Sequence, residues 1–129
     1  MEIKVFNNSV NKLRGSGKPC LHISESGIFN FNKQACHQLN LVKGTTISIA
    51  QDETNPRDWY FFRDPKGLEL RHYKGKDTIL SFSSKLIRDC IFKSVGTTQK
   101  HGSMSFLLAT EPTQYNELIM FAILTNSQL

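Results

Sequence analysis

Residues 27–49 read GIFNFNKQACHQLNLVKGTTISI, and the reading of this stretch decides the fold. Gly27 ends a Glu25-Ser26-Gly27 turn, and residues 28–31 read as a short strand. Asn32 stands where a helix N-cap is wanted, because its side-chain oxygen can accept a free N–H of the first turn. Residues 33–41 follow as a helix with Ala35, Cys36 and Leu39 on one face, and Lys43-Gly44 is the expected terminator. In residues 46–50, Ile47 and Ile49 then point the same way, as on a strand.

Outward from this unit the pattern continues. Residues 2–6 and 21–24 read as strands, with a polar, basic loop between them that runs to Lys18. Residues 58–63 form a strongly aromatic strand, with Trp59, Phe61 and Arg63 on one face and Tyr60 and Phe62 on the other. Strands at 68–73 and 79–82 flank Lys74-Gly75-Lys76-Asp77. Ser83 and Ser84 cap a helix over 85–94, whose buried side is expected to be Leu86, Ile87, Cys90 and Ile91, and Gly96 closes it. Strands at 105–109 and 118–124 complete the chain, the last offering an open edge to another chain.

Laid over each other, the halves match. Phe29 and Phe31 fall on Leu80 and Phe82, Ala35, Cys36 and Leu39 on Leu86, Ile87 and Cys90, and Ile47–Ala50 on Phe106–Ala109. The expected architecture is therefore α+β. Two similar strand-strand-helix-strand-strand halves, about 18–66 and 67–126, form one intramolecular pseudo-dimeric barrel or twisted antiparallel sheet with two short helices. The whole, 1–129, is one domain with an N-terminal strand and basic loop at 2–18. A unit of about fifty residues cannot bury its apolar face alone, so the halves must pack together.

The segment 27–49 resembles the SpoVT–AbrB class of DNA-binding domains: a Gly turn, a short strand, a capped helix ending Leu-x-Leu, then Gly and a strand. The resemblance covers residues 21–63 and, weakly, 68–126, and it implies a swapped-hairpin barrel and transcriptional regulation. The family's usual Arg after the Gly is Ile28 here, its Pro at the helix start is Asn32, and its helix arginines fall on Cys36 and His37. The resemblance thus implies the fold without its phosphate and base donors. From 46 to 95 the order of four strands and a helix is also similar to Whirly-type single-stranded-DNA-binding proteins.

Charge points the same way. The chain of 129 residues has a formal net charge of +5, and residues 57–100 hold ten basic side chains against five acidic ones. Beyond Lys100 there is no Lys or Arg, only Glu111 and Glu117. A basic middle is the electrostatic footprint of a polyanion-binding surface. Candidate contacts are Arg14 and Lys18 in the basic loop, Arg57, Arg63, Arg71, Lys74 and Lys76 for phosphates, and Tyr60 and Tyr73 for stacking. Base stacking contributes about 1–3 kcal/mol per base. These cations are expected to converge into one concave, solvent-facing tract.

Other chemistries find no pattern. Cys20, Cys36 and Cys90 form no CxxC, and His22, His37, His72 and His101 have no zinc spacing. Gly15-Ser16-Gly17-Lys18 lacks the first Gly of a phosphate loop, and Pro19 replaces its hydroxyl residue. No catalytic signature occurs, and Asp52, Asp58 and Asp64 are explained by turn chemistry. No apolar run reaches the roughly 18 residues of a membrane span, and the N-terminus has no signal-peptide pattern. The expectation is a cytoplasmic, non-enzymatic nucleic-acid-binding protein without metal or cofactor: a transcriptional regulator or single-stranded-DNA-binding factor. DNA or RNA is the expected partner, with a homodimer or protein partner in addition. The alternative is an antitoxin-like interaction or assembly module that binds no nucleic acid.

Overall fold

Alternation of apolar and polar side chains builds most of this molecule. The computed structural model describes residues 2, 17–96 and 102–126. Residues 3–6 of the expected strand at 2–6, Arg14 with most of its loop, and residues 97–101 lie outside them. The strands are β1 (Cys20–Ile23), β2 (Ile28–Phe31), β3 (Thr46–Gln51), β4 (Trp59–Arg63), β5 (Leu68–Glu69), β6 (Arg71–Tyr73), β7 (Lys76–Ser83), β8 (Met104–Leu108), β9 (Thr113–Tyr115) and β10 (Leu118–Leu124). The helices are α1 (Lys33–Gln38) and α2 (Lys85–Ser94).

All the pairings are antiparallel, and the neighbours run β5-β3-β4-β10-β8-β1-β2-β7-β6, with β9 attached to β10. The two ends of this order, β5 and β6, are consecutive in the chain, separated by Leu70 alone. Leu70 itself donates to the Thr45 carbonyl at 2.8 Å and accepts from the Gly44 N–H at 2.9 Å. Residues 68–73 therefore bond to the β3 side through their first half and to β7 through their second. The sheet curls until both its edges meet on one stretch of chain, giving a nearly closed antiparallel barrel with two helices.

The inner face is aromatic. Phe29 stacks on Phe82 with centroids 4.5 Å apart, Phe31 meets Phe61 edge-on at 5.3 Å, and Phe61 stacks on Phe121 at 5.7 Å. Leu21, Ile23, Ile47, Leu70, Ile91 and Phe106 are fully buried in the same cluster. Each aromatic pair adds about 0.5–1.5 kcal/mol beyond its burial. The Trp59 indole donates to Ser94 Oγ at 2.7 Å, tying β4 to α2.

The helices differ from the expectation in detail. Asn32 caps α1, its Oδ1 accepting from the Ala35 N–H at 2.9 Å and from Cys20 N–H at 3.0 Å. Yet α1 ends at Gln38, with Leu39 as C-cap and Asn40 left-handed at φ 55°; Gly44 belongs instead to the turn before β3. In α2 the expected face is right at Ile91, which is buried, and at Ile87, which packs against the core, but not at Leu86 and Cys90. Leu86 is 75% exposed and Cys90 is exposed, whereas Arg88, Ile91 and Phe92 are buried. Ser84, not Ser83, is the cap, so β7 runs one residue further than β2 before its helix begins. The overlay of Ala35, Cys36 and Leu39 on Leu86, Ile87 and Cys90 slips accordingly. Strand β10 is also no open edge, being paired to β4, β8 and β9.

Closure depends on the turn Asp64-Pro65-Lys66-Gly67, whose Gly67 N–H bonds the Asp64 carbonyl at 2.9 Å. Asp at the first position, Pro at the second and Gly at the fourth are type I preferences. A Cβ on Gly67 would lie 2.1 Å from the Ile47 carbonyl oxygen, which is backbone and cannot step aside. Gly67→Ala is thus expected to cost about 1–3 kcal/mol in denaturant unfolding, the range for forced overpacking. An unchanged midpoint would mean that closure tolerates a wider turn.

Asp64 also holds this corner, accepting from Ser48 Oγ at 2.7 Å and the Lys66 N–H at 3.0 Å. The Lys66 N–H first, and the Ser48 hydroxyl second, hold its carboxyl below the usual range. A carboxyl lowered in the fold stabilises fully above its unfolded value of about 3.9, and that contribution fades as pH falls through the folded value. Asp64→Asn should therefore lose less stability than the parent chain between pH 6 and pH 3, measured by denaturant titration. Equal losses would assign the acid sensitivity to other groups.

Candidate nucleic-acid interface

The candidate cations fall into separate groups. Arg57 is exposed before β4, where its carbonyl accepts from Thr125 Oγ1 at 2.6 Å. Arg63 ends β4, at the end of the strand away from Arg57. The Arg63 guanidinium donates to the carbonyls of Leu39 at 2.9 Å and Asn40 at 2.7 Å. Its task is thereby local: it satisfies carbonyls left open at the end of α1. The expected single tract therefore does not include these two together.

Tyr60 lies on the outer face of β4 between Ala50 and Ala122 and is half-buried. Burial first, then the charges of Asp58 and Asp52, push its phenol pKa up. Those carboxylates make the surroundings of Tyr60 unwelcoming to phosphate. Arg88, counted among the basic residues of the middle region, is buried; it pairs with Asp89 at 2.8 Å and lies 4.0 Å from the Phe92 ring centroid.

A second group does meet. Tyr73 pairs with Lys76, and the two residues between them, Lys74 at φ 49° and Gly75 at φ 76°, make a tight left-handed turn of the hairpin type. The Lys74 ammonium sits 5.2 Å from the Tyr73 ring centroid, and Lys74, Lys76 and Arg71 are exposed. Strand β7 lies beside β2, and β2 beside β1. Lys18 is exposed just ahead of β1, where its carbonyl accepts from Asn32 Nδ2 at 2.9 Å. Lys33, exposed at the first position of α1, follows β2 at the same end. Strands β1 and β6 are three strand spacings, about 14 Å, apart across the sheet. Arg71 lies level with His22, whereas Lys18, Lys33, Lys74 and Lys76 lie towards the end of the sheet where β1 begins and β2 ends.

Lys33 is absent from the candidates drawn from sequence, although its place beside the Asn32 cap and Lys18 is a consequence of the β1–β2 hairpin. From this edge a polar row crosses the outer face: Arg71, Ser81, Asn30, His22 and Ser105 are consecutive cross-strand partners. His22 Nδ1 is 2.7 Å from Ser105 Oγ, and the shielded Asn30 Oδ1 has no hydrogen-bond partner among the described residues. Arg88 pairs with Asp89, and no ion pair to Lys18, Lys33, Arg71, Lys74 or Lys76 occurs among the described side chains, which do not include Asp77.

Among the described residues no group of three His, Cys, Asp or Glu is arranged to hold a metal ion. Burial raises the thiol pKa values of Cys20 and Cys36, which favours the protonated forms. No helix among the described residues is long and apolar enough to cross a membrane. Comparison of the chain with protein-family models, curated proteins and solved structures found no match.

Proposed function

We propose that the protein binds nucleic acid, without catalysis, along the edge formed by Lys18, Lys33, Arg71, Lys74 and Lys76. What supports this reading is that five exposed cations lie on or beside the neighbouring strands β1, β2, β7 and β6, without a carboxylate ion pair among the described side chains, and that the Lys74 ammonium lies 5.2 Å from the Tyr73 ring centroid. Lys and Arg there neutralise phosphates, and the outer polar row supplies hydroxyl, amide and imidazole groups for sugar and phosphate oxygens.

The barrel belongs, on the same proposal, to a pseudo-dimer of the SpoVT–AbrB kind. What supports this is the pairing scheme. Exchanging β1, β2, β3 and β4 for β5/β6, β7, β8 and β10 turns β1–β2 into β6–β7, β3–β4 into β8–β10 and β1–β8 into β5–β3. The pairs β2–β7 and β4–β10 map onto themselves. A cytoplasmic regulator follows as the setting. An interaction or assembly role is favoured by a different observation: Tyr115, Leu118 and Ile119 are exposed on the β9–β10 hairpin.

Fluorescence anisotropy with single-stranded DNA, double-stranded DNA and RNA at 50 and 200 mM salt tests the function. About four phosphate contacts should weaken binding roughly fiftyfold for single strands and about 150-fold for duplex DNA across that interval. The double variant K74A/K76A should flatten the salt slope by about 1.5–2, whereas R57A, away from the edge, should leave it unchanged. Absence of binding at 50 mM salt, or binding indifferent to K74A/K76A, would refute the reading.

A further inference from the structure

On β10, Phe121 and Ile123 face inward against Phe61 and Trp59, and alternation places Ile119 on the same face, one step beyond. There the barrel runs out, and Ile119 is 60% exposed. The result is a groove of about 490 Å³ that continues the core to the surface, between the β9–β10 hairpin and the Leu39–Leu41 segment behind α1. Its floor is Phe61 and Phe121, and Arg63 and Glu117 line it as well. Tyr115, 62% exposed, and Val42, 64% exposed, extend the apolar surface on either side.

We propose that this groove and the β9 edge form the twofold interface of a homodimer. Self-complementarity is the reason to choose a second copy. An isologous contact needs both partners of each interaction in one patch, and this patch holds an acid, Glu117, and a base, Arg63. From residue 101 onward the chain has two glutamates and no Lys or Arg, while Arg63 and the exposed Lys43 stand on the opposite rim. A twofold axis sets each Glu117 against the other copy's Arg63 and lays the two sets of exposed apolar side chains together.

The edge fits the same axis. Strand β9 pairs on one side only, with β10, among the described residues. In a hairpin with a two-residue turn, Tyr115 and Leu118 form the hydrogen-bonded pair next to the turn, so the main-chain N–H and C=O of Gln114 face away from β10. Two such edges pair antiparallel through Gln114. No lysine guards the edge, a device that edge strands commonly use against association. Pro112, which has no N–H, limits the added ladder to this short stretch.

Sedimentation velocity on the full chain, from micromolar to several hundred micromolar, tests the proposal. The expected result is a concentration-dependent shift towards twice 14.7 kDa. I119E and E117R, both at exposed positions, should each weaken association at least tenfold with unchanged thermal melting. Adding R63E to E117R should restore it; because Arg63 also serves α1, the melting curve of that double variant is followed in parallel, and the two single variants decide the matter by themselves. A chain that stays monomeric at the highest concentration, or a dimer that ignores I119E and E117R, overturns the proposal. Binding of nucleic acid by the monomer would leave the polyanion reading intact.

Discussion

Closure of the sheet by residues 68–73 is the constraint on which the rest of this structure depends. A curled sheet with two open edges would expose main-chain groups and the flank of its aromatic interior. Here one extended segment serves both edges, with the buried Leu70 at the handover between β3 and β7. Closure in turn requires the chain to pass Ile47 at a distance that leaves no room for a Cβ, which is why Gly67 stands at that point. From within, the Phe29, Phe82, Phe31, Phe61 and Phe121 rings join β2, β7, β4 and β10 through a succession of ring contacts.

Because the barrel closes this way, groups distant in the chain become neighbours. Lys18 and Lys76 stand by strands that the order β1-β2-β7-β6 makes near neighbours, whereas Arg57 precedes β4 and Arg63 ends it. A strand separates its ends by its full length, and a sheet gathers the ends of adjacent strands. The acidic, apolar hairpin of β9 and β10 forms a second surface of different chemistry, suited to burial against protein rather than to phosphate.

Local rules were legible residue by residue. The Asn32 cap, the turn Asp64-Pro65-Lys66-Gly67, the inward Trp59 and Phe61 of β4 and the span of α2 all follow from side chains acting on their own backbone or on a strand's two-residue period. The rotation of α2 was not legible. Shifting its start by a single residue turns a helix by about 100°, enough to expose Leu86 and Cys90 and to bury Arg88 and Phe92. A basic residue in the buried face defeats a reading by hydropathy, and only the Phe92 ring, Asp89 and the Gly102 carbonyl explain how Arg88 is accommodated.

What the amino-acid order determined by itself is most of the elements and their order. The short strand β9, which reads from sequence as the connection before β10, and the break of 68–73 into β5 and β6 were not among them. The legible properties arise from interactions over at most a few residues. The tertiary structure alone decided that residues 68–73 close the barrel, that Arg63 serves a helix end, and that the strands next to Lys18, Lys33, Arg71, Lys74 and Lys76 are neighbours in the sheet. Each of these is a pairing between distant segments, and a period of two specifies which face of a strand turns inward without specifying its neighbour.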